Sequence, residues 1–222
     1  MNKPDILERL LHLRANHNIR NSQNLTPLAL AVTLGQMQNT SILLQQKCVT
    51  INERSNGNQT LLHIAAQMGN LDVTRFLVDQ GADINAKSIQ GFKPIHLATI
   101  NGHHKILAFF LELGMSIDDR ESDGSTLMHY AAEQGQLAVA QYLIDKHIDI
   151  NSTDLEGLKP IHCSAELGHT EVVKLLLKSG AVFDAKDKFG KTPSDLTSSR
   201  DIKELRQCSS TLRSQILSSW NS

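Results

Sequence analysis

The stretch Thr60–Asn85, TLLHIAAQMGNLDVTRFLVDQGADIN, decides the reading of this chain. It holds two short apolar-periodic segments, LLHIAAQM and LDVTRFLVDQ, each closed by a glycine. Leu62, Ala65, Ala66, Val73, Phe76 and Leu77 fall at the spacings of one buried helix face. Gly69 and Gly81 offer the positive φ that ends a helix and turns the chain. Two antiparallel helices this short cannot bury their apolar faces alone. They require neighbours built the same way.

The neighbours occur at a fixed register. His63, His96, His129 and His162 recur every 33 residues, and Gly69, Gly102, Gly135 and Gly168 keep the same step. The ends of the second loops, Asn85, Asp118, Asn151 and Asp184, do likewise. The boxes KPIHLA (Lys93–Ala98), TLMHYAA (Thr126–Ala132) and KPIHCSA (Lys159–Ala165) share one pattern. GADINAK (Gly81–Lys87) and GHTEVVKLLLKSGA (Gly168–Ala181) supply the second half of the unit. A 33-residue period with a T-P-L-H-x-A-like box resembles the ankyrin repeat, two helices and a β-turn finger per unit. The fold this resemblance implies is an all-α solenoid of stacked helix-turn-helix units.

Register divides the chain into a capping half-repeat at 1–20, an irregular first repeat at 21–54, and regular repeats at 55–87, 88–120, 121–153 and 154–186. A divergent capping repeat fills 187–222. In the half-repeat an amphipathic helix over 4–13 places Ile6, Leu7, Leu10 and Leu11 on one side. The first repeat has Ala29 in place of the box histidine and one inserted residue near Lys47–Thr50, so an irregular loop is expected there. Gly57 comes one place early and should bend its finger differently. In the last repeat Asp195 replaces the histidine, and TSSRD cuts the first helix short. A polar-faced final helix with Ile202, Leu205, Leu212, Ile216 and Trp220 on its apolar side suits a cap.

Composition narrows the function. A formal net charge of −1 over 222 residues argues against a nucleic-acid or anionic-membrane surface. No run reaches the roughly 20 apolar residues of a membrane span, and MNKPDILERLLHL carries charges through its apolar part, unlike a signal peptide. Cys48, Cys163 and Cys208 are too few and scattered for a disulfide framework. A cytoplasmic location is expected, with the nucleus or a host-cell cytosol as variants.

Ten histidines invite a metal or catalytic reading. The box histidines, however, form a row about 10 Å apart, and ligands of one ion must each come within about 2.1 Å of it. They read instead as rings that hydrogen-bond loop backbone and hold adjacent fingers. His103, His104 and His169 beside the inter-helix glycines read the same way. Cys163 follows His162, but adjacent helical residues diverge by about 100° and no orienting third group accompanies them. The repeats occupy 21–219 and leave no room for a catalytic domain, so no enzyme activity, metal or cofactor is expected.

The resemblance implies a protein-interaction module: an adaptor, regulator or inhibitor, monomeric by itself, binding another protein on the concave finger and inner-helix surface. A bacterial effector taking a host protein is one variant. Register assigns the contact residues: Ile89, Phe92 and Ile100 in one repeat, Leu155, Leu158 and Leu167 in another, with Met68 beside the first. Ser122, Asp123, Ser125, Glu133 and Gln134 form a polar layer between the two triplets. The alternative is a structural solenoid or a modification substrate. Asn85 and Asn151, each with Leu eight, Asp two and Ile one residue before, resemble ankyrin asparagines that an asparaginyl hydroxylase modifies in animal cells.

Overall fold

The computed structural model describes residues 4–46 and 49–205. After α1 (Pro4–His12), helices come in pairs. These are α2 (Pro27–Thr33) with α3 (Met37–Leu44), α4 (Leu61–Met68) with α5 (Leu71–Asp79), and α6 (Pro94–Ile100) with α7 (His104–Glu112). Then follow α8 (Leu127–Glu133) with α9 (Leu137–Asp145), α10 (Pro160–Glu166) with α11 (Thr170–Lys178), and the short α12 (Pro193–Leu196). Residues 200–205 are again helical. No strand occurs among the described residues, only an isolated bridge between Arg54 and Thr60. The fold is the all-α ankyrin-repeat solenoid.

The chain divides between Met115 and Ser116 into two compact units. In the first, α4 packs between α2 and α6, and α5 lies beside α3 and α7. In the second, α10 packs between α8 and α12, and α9 lies beside α11. The first helix of a pair is therefore covered on several sides, which its composition requires. α4 buries every residue from Leu61 to Ala66, and α8 every residue from Leu127 to Ala132. Alanines such as Ala65, Ala66, Ala131 and Ala132 let these axes approach closely. The second helices bury a single stripe, Val73, Thr74 and Leu77 in α5 and Val172, Val173 and Leu176 in α11. Each large buried aliphatic contributes about 1.5–3 kcal/mol.

Several expectations meet their physical limits here. In α1, Leu7 and Leu11 are half-buried on the side of α3, whereas Ile6 and Leu10 stay exposed. The two pairs are adjoining stripes about 100° apart, and one neighbouring helix covers one stripe. Phe76 is half-buried rather than core. Gly57 and Asn58 take consecutive positive φ values of 76° and 61° in a 3-10 turn, so that finger does bend differently. The insertion expected near Lys47–Thr50 falls partly on residues 47 and 48, outside the described residues. α12 is four residues long, and Ile202 is fully buried. Leu212, Ile216 and Trp220 also lie outside the described residues.

Candidate partner-binding face

Each finger is a tight loop closed by one backbone hydrogen bond across four residues. The N–H of Asn21, Ser55, Ser88, Glu121, Asp154 and Asp187 donates to the carbonyl of Leu25, Gln59, Phe92, Ser125, Leu158 and Lys191, at 2.8–3.0 Å. Three pairs of neighbouring fingers, one in the first unit and two in the second, are joined tip to tip. Ile89 N–H donates to Gly57 O at 2.8 Å, Leu155 N–H to Asp123 O at 2.9 Å and Lys188 N–H to Glu156 O at 3.0 Å. Two arginines bracket fingers from below: Arg54 Nη1 donates to Asn58 O and Lys87 O, and Arg120 Nη1 to Gly124 O and Thr153 O. Bonding through the backbone leaves the side chains of Ile89 and Leu155 exposed.

The box histidines connect finger to helix. In each of His63, His96, His129 and His162, Nδ1 accepts the N–H of the residue opening the helix (Thr60, Lys93, Thr126, Lys159) at 3.0–3.2 Å. The proton of the neutral ring therefore sits on Nε2. From there His63 donates to Phe92 O at 2.8 Å, His129 to Leu158 O at 3.1 Å and His162 to Ala185 O at 3.0 Å. Each ring thus completes its own helix start; His63 and His129 also fasten the next finger, and His162 the loop that leads into it. Burial is the largest influence on His63, His129 and His162 and holds all three below the ordinary 6.5. Where the histidine is absent, carboxylates substitute. Asp195 Oδ2 accepts from Thr192 N–H and Oγ1, while Thr26 donates its hydroxyl to Glu53 Oε1 at 2.7 Å. Glu53 and Ala29 both line a small 10 Å³ cavity beside this bond.

A second staple starts from the residue after the inter-helix glycine. Asn70 Nδ2 donates to Val32 O, His103 Nε2 to Gln67 O and His169 Nε2 to Glu133 O, at 2.8–3.1 Å. Each side chain reaches back to the last carbonyls of the preceding first helix, which have no partner within that helix. It also lies over a glycine. A Cβ on Gly69 would come within 2.5 Å of the His103 ring, and one on Gly135 within 2.6 Å of His169.

The assigned contact residues fall into two groups. Ile89 and Leu155 stand on fingertips at 76% and 73% exposure, and Leu167 and Met68 at inner-helix ends at 55% and 44%. Phe92, Ile100 and Leu158 are half-buried. The carbonyls of Phe92 and Leu158 receive the histidines, and the Phe92 ring leans on His96 at 6.1 Å between centroids. One residue was missed: Phe189, 67% exposed on the last finger, with Lys188 Nζ 5.0 Å from its ring centre. Lys188 stands at the register position of Ile89 and Leu155, and the next position carries Gln90, Asp123 and Glu156 in other repeats. A ring among those polar residues was the available signal.

Cys163 is half-buried, with its thiol pushed up to about 12, first by burial and then by Asp154, Glu133 and Glu166. A thiol so rarely ionised is a poor nucleophile. Among the described residues, no three His, Cys, Asp or Glu side chains are grouped as a metal site requires, and no helix is long and apolar enough to cross a membrane.

Comparison with known proteins agrees with this geometry. The profile described as Ankyrin repeats (3 copies) matches residues 1–88 and 86–154, and that described as Ankyrin repeat matches residues 156–188. The chain belongs to the ankyrin repeat family and has the build of a protein-interaction module. It is similar to alpha-latrocrustotoxin-Lt1a of Latrodectus tredecimguttatus, 34% identical over 93 residues, covering 42% of this chain and 6% of the toxin. Alpha-latroinsectotoxin-Lt1a of the same spider is 37% identical with the same coverage. NF-kappa-B inhibitor alpha of Homo sapiens is 36% identical over 92 residues, covering 39% of this chain and 29% of the inhibitor. The matches thus span less than a third of each of these relatives.

Proposed function

We propose that this chain is a non-enzymatic regulator or adaptor that holds a partner protein on its fingertips and inner-helix ends. The observation that carries the reading is the presentation of Ile89 and Leu155. Their backbone N–H groups are tied to the preceding finger while their side chains remain about three-quarters exposed. Large apolar side chains held rigidly in water mark interaction sites. In the first unit Ile89 and Met68 are the outward anchors, with Phe92 and Ile100 supporting them. In the second, Leu155, Leu167 and Phe189 are the anchors, with Leu158 beneath. The relative named an NF-kappa-B inhibitor favours a regulator, and a cytoplasmic location fits three cysteines too scattered for a disulfide framework.

Affinity capture from the native cell, followed by binding measurements on the purified pair, tests the reading. Changing Ile89 and Leu155 to Ser should weaken binding by about 2 kcal/mol or more without moving the melting temperature. Unchanged affinity would place the interface elsewhere.

A second reading, modification by an asparaginyl hydroxylase, rests on a shared turn. Asp83 Oδ1 and Asp149 Oδ1 each accept the N–H of the asparagine two residues on, Asn85 and Asn151, at 2.9 Å. Fragment mass spectrometry of the native protein should find one added oxygen on either asparagine; unmodified peptides covering both exclude it.

A further inference from the structure

We propose that the finger and inner-helix face of the second unit takes a polypeptide segment combining basic side chains with apolar anchors. The proposal rests on the reading of that face as a partner site and specifies the partner's chemistry.

Three large apolar side chains stand out on this unit: Leu155 and Phe189 on successive fingers and Leu167 at the end of an inner helix. Carboxylates alternate with them. Asp123 and Glu156 supply the carbonyls that receive the N–H of Leu155 and Lys188, so each finger tip carries an acid beside the next finger's anchor. Glu133 and Glu166 close α8 and α10, which pack side by side, and both are exposed. Their charge reaches the inner helices. Tyr130 is raised first by burial and then by Asp123, Glu121 and Glu133, and Glu133 acts on Cys163 as well.

Of the cations nearby, Lys191 at the end of the last finger is exposed, and three others are held by partners. Arg120 Nη1 is spent on Gly124 O and Thr153 O, Lys159 Nζ donates to Asn151 O at 2.9 Å, and Lys188 Nζ pairs with Glu156 at 2.7 Å. The register positions of Glu133 and Glu166 hold Gln67 and Ile100 in the first unit, and Gln90 stands at the position of Asp123. The acidic rim is thus particular to the second unit's face. A purely apolar segment would strip water from the carboxylates without replacing it. A segment with lysine or arginine flanking its apolar anchors satisfies both and is drawn in by the field.

Selection from a display library of random linear peptides against the whole chain tests this, with two variants run beside it. One is Asp123→Asn, Glu133→Gln and Glu166→Gln together, which keeps shape and removes charge. The other is Leu155→Ser, Leu167→Ser and Phe189→Ser together, which removes the anchors. Both sets change exposed side chains, and unchanged melting curves verify the fold. The expected result is enrichment of peptides carrying Lys or Arg around apolar residues. They should bind the neutralised variant about tenfold more weakly, lose affinity as sodium chloride rises, and fail on the anchor variant. Peptides that need the anchors but show no basic enrichment, or bind the neutralised variant equally, overturn this proposal and leave the partner face standing. No enriched peptides, or peptides indifferent to the anchors, overturn both.

Discussion

A titration from about pH 7.5 to about pH 5.5 should destabilise this protein well before its carboxylates protonate. His63, His129 and His162 are each fully buried, with Nδ1 accepting a backbone N–H and Nε2 donating to a carbonyl. A second proton would have to sit on Nδ1, facing that N–H, and would break the helix start. Burial therefore keeps the folded values below the ordinary 6.5, and the unfolded chain takes up protons first. Stability from these groups is complete above 6.5 and is lost as pH falls from there towards each lowered value. Over the stated range each ring that stays neutral costs up to about 1.4 kcal/mol, so the three together approach about 4 kcal/mol. That is a large share of the ~5–15 kcal/mol that holds a typical domain. Urea unfolding followed by far-ultraviolet circular dichroism at several pH values measures it. His129→Gln should lower stability at pH about 7.5 yet shrink the pH dependence by about a third. A midpoint flat across the range, or a dependence unchanged in the variant, refutes the assignment of these rings as neutral staples.

Three further outcomes follow from particular positions. His147 holds φ at 61° where Gly81, Gly114 and Gly180 stand in other repeats, so His147→Gly should raise stability by about 0.5–1 kcal/mol in thermal unfolding. Gly135→Ala would press a methyl into the His169 ring at a φ of 65°. Strain and the lost staple should together cost about 2–3 kcal/mol by urea titration, and a neutral outcome would mean that the ring swings aside freely. Adding EDTA should leave the melting temperature unchanged, because no three potential ligands are grouped among the described residues; a drop of several degrees would point to a bound metal.

The helices were legible because every one of their signals repeats. Thr60, Gly69 and Gly81 mark boundaries that a single window would leave ambiguous, and the 33-residue register repeats them down the chain. Pairwise geometry was not legible. Ile6 and Leu10 carry helical periodicity as good as that of Leu7 and Leu11, but burial depends on which side the neighbouring helix takes. Phe92 and Leu158 look like fingertip anchors in an alignment. Their carbonyls are needed by His63 and His129, and this holds their side chains half into the fold. Phe189 escaped because it stands one place beyond the fingertip position of Ile89 and Leu155, which Lys188 fills in its repeat. The reach of Asn70, His103 and His169 into the preceding helix spans 36–38 residues, and spacing alone names no partner at that distance.

The forward reach of the histidine rings also sets an order of events at the ribosome. His63 and His129 each find their acceptor 29 residues later in the chain, and His162 finds it 23 later. At the ~5–20 residues per second of synthesis, a newly emerged inner helix waits about 1–6 s for the carbonyl that completes its histidine's bonding. A nascent chain of this protein therefore carries its most recent repeat unfinished at every moment. That leading edge is where a chaperone would find apolar surface and where a pause in translation would leave it waiting longest.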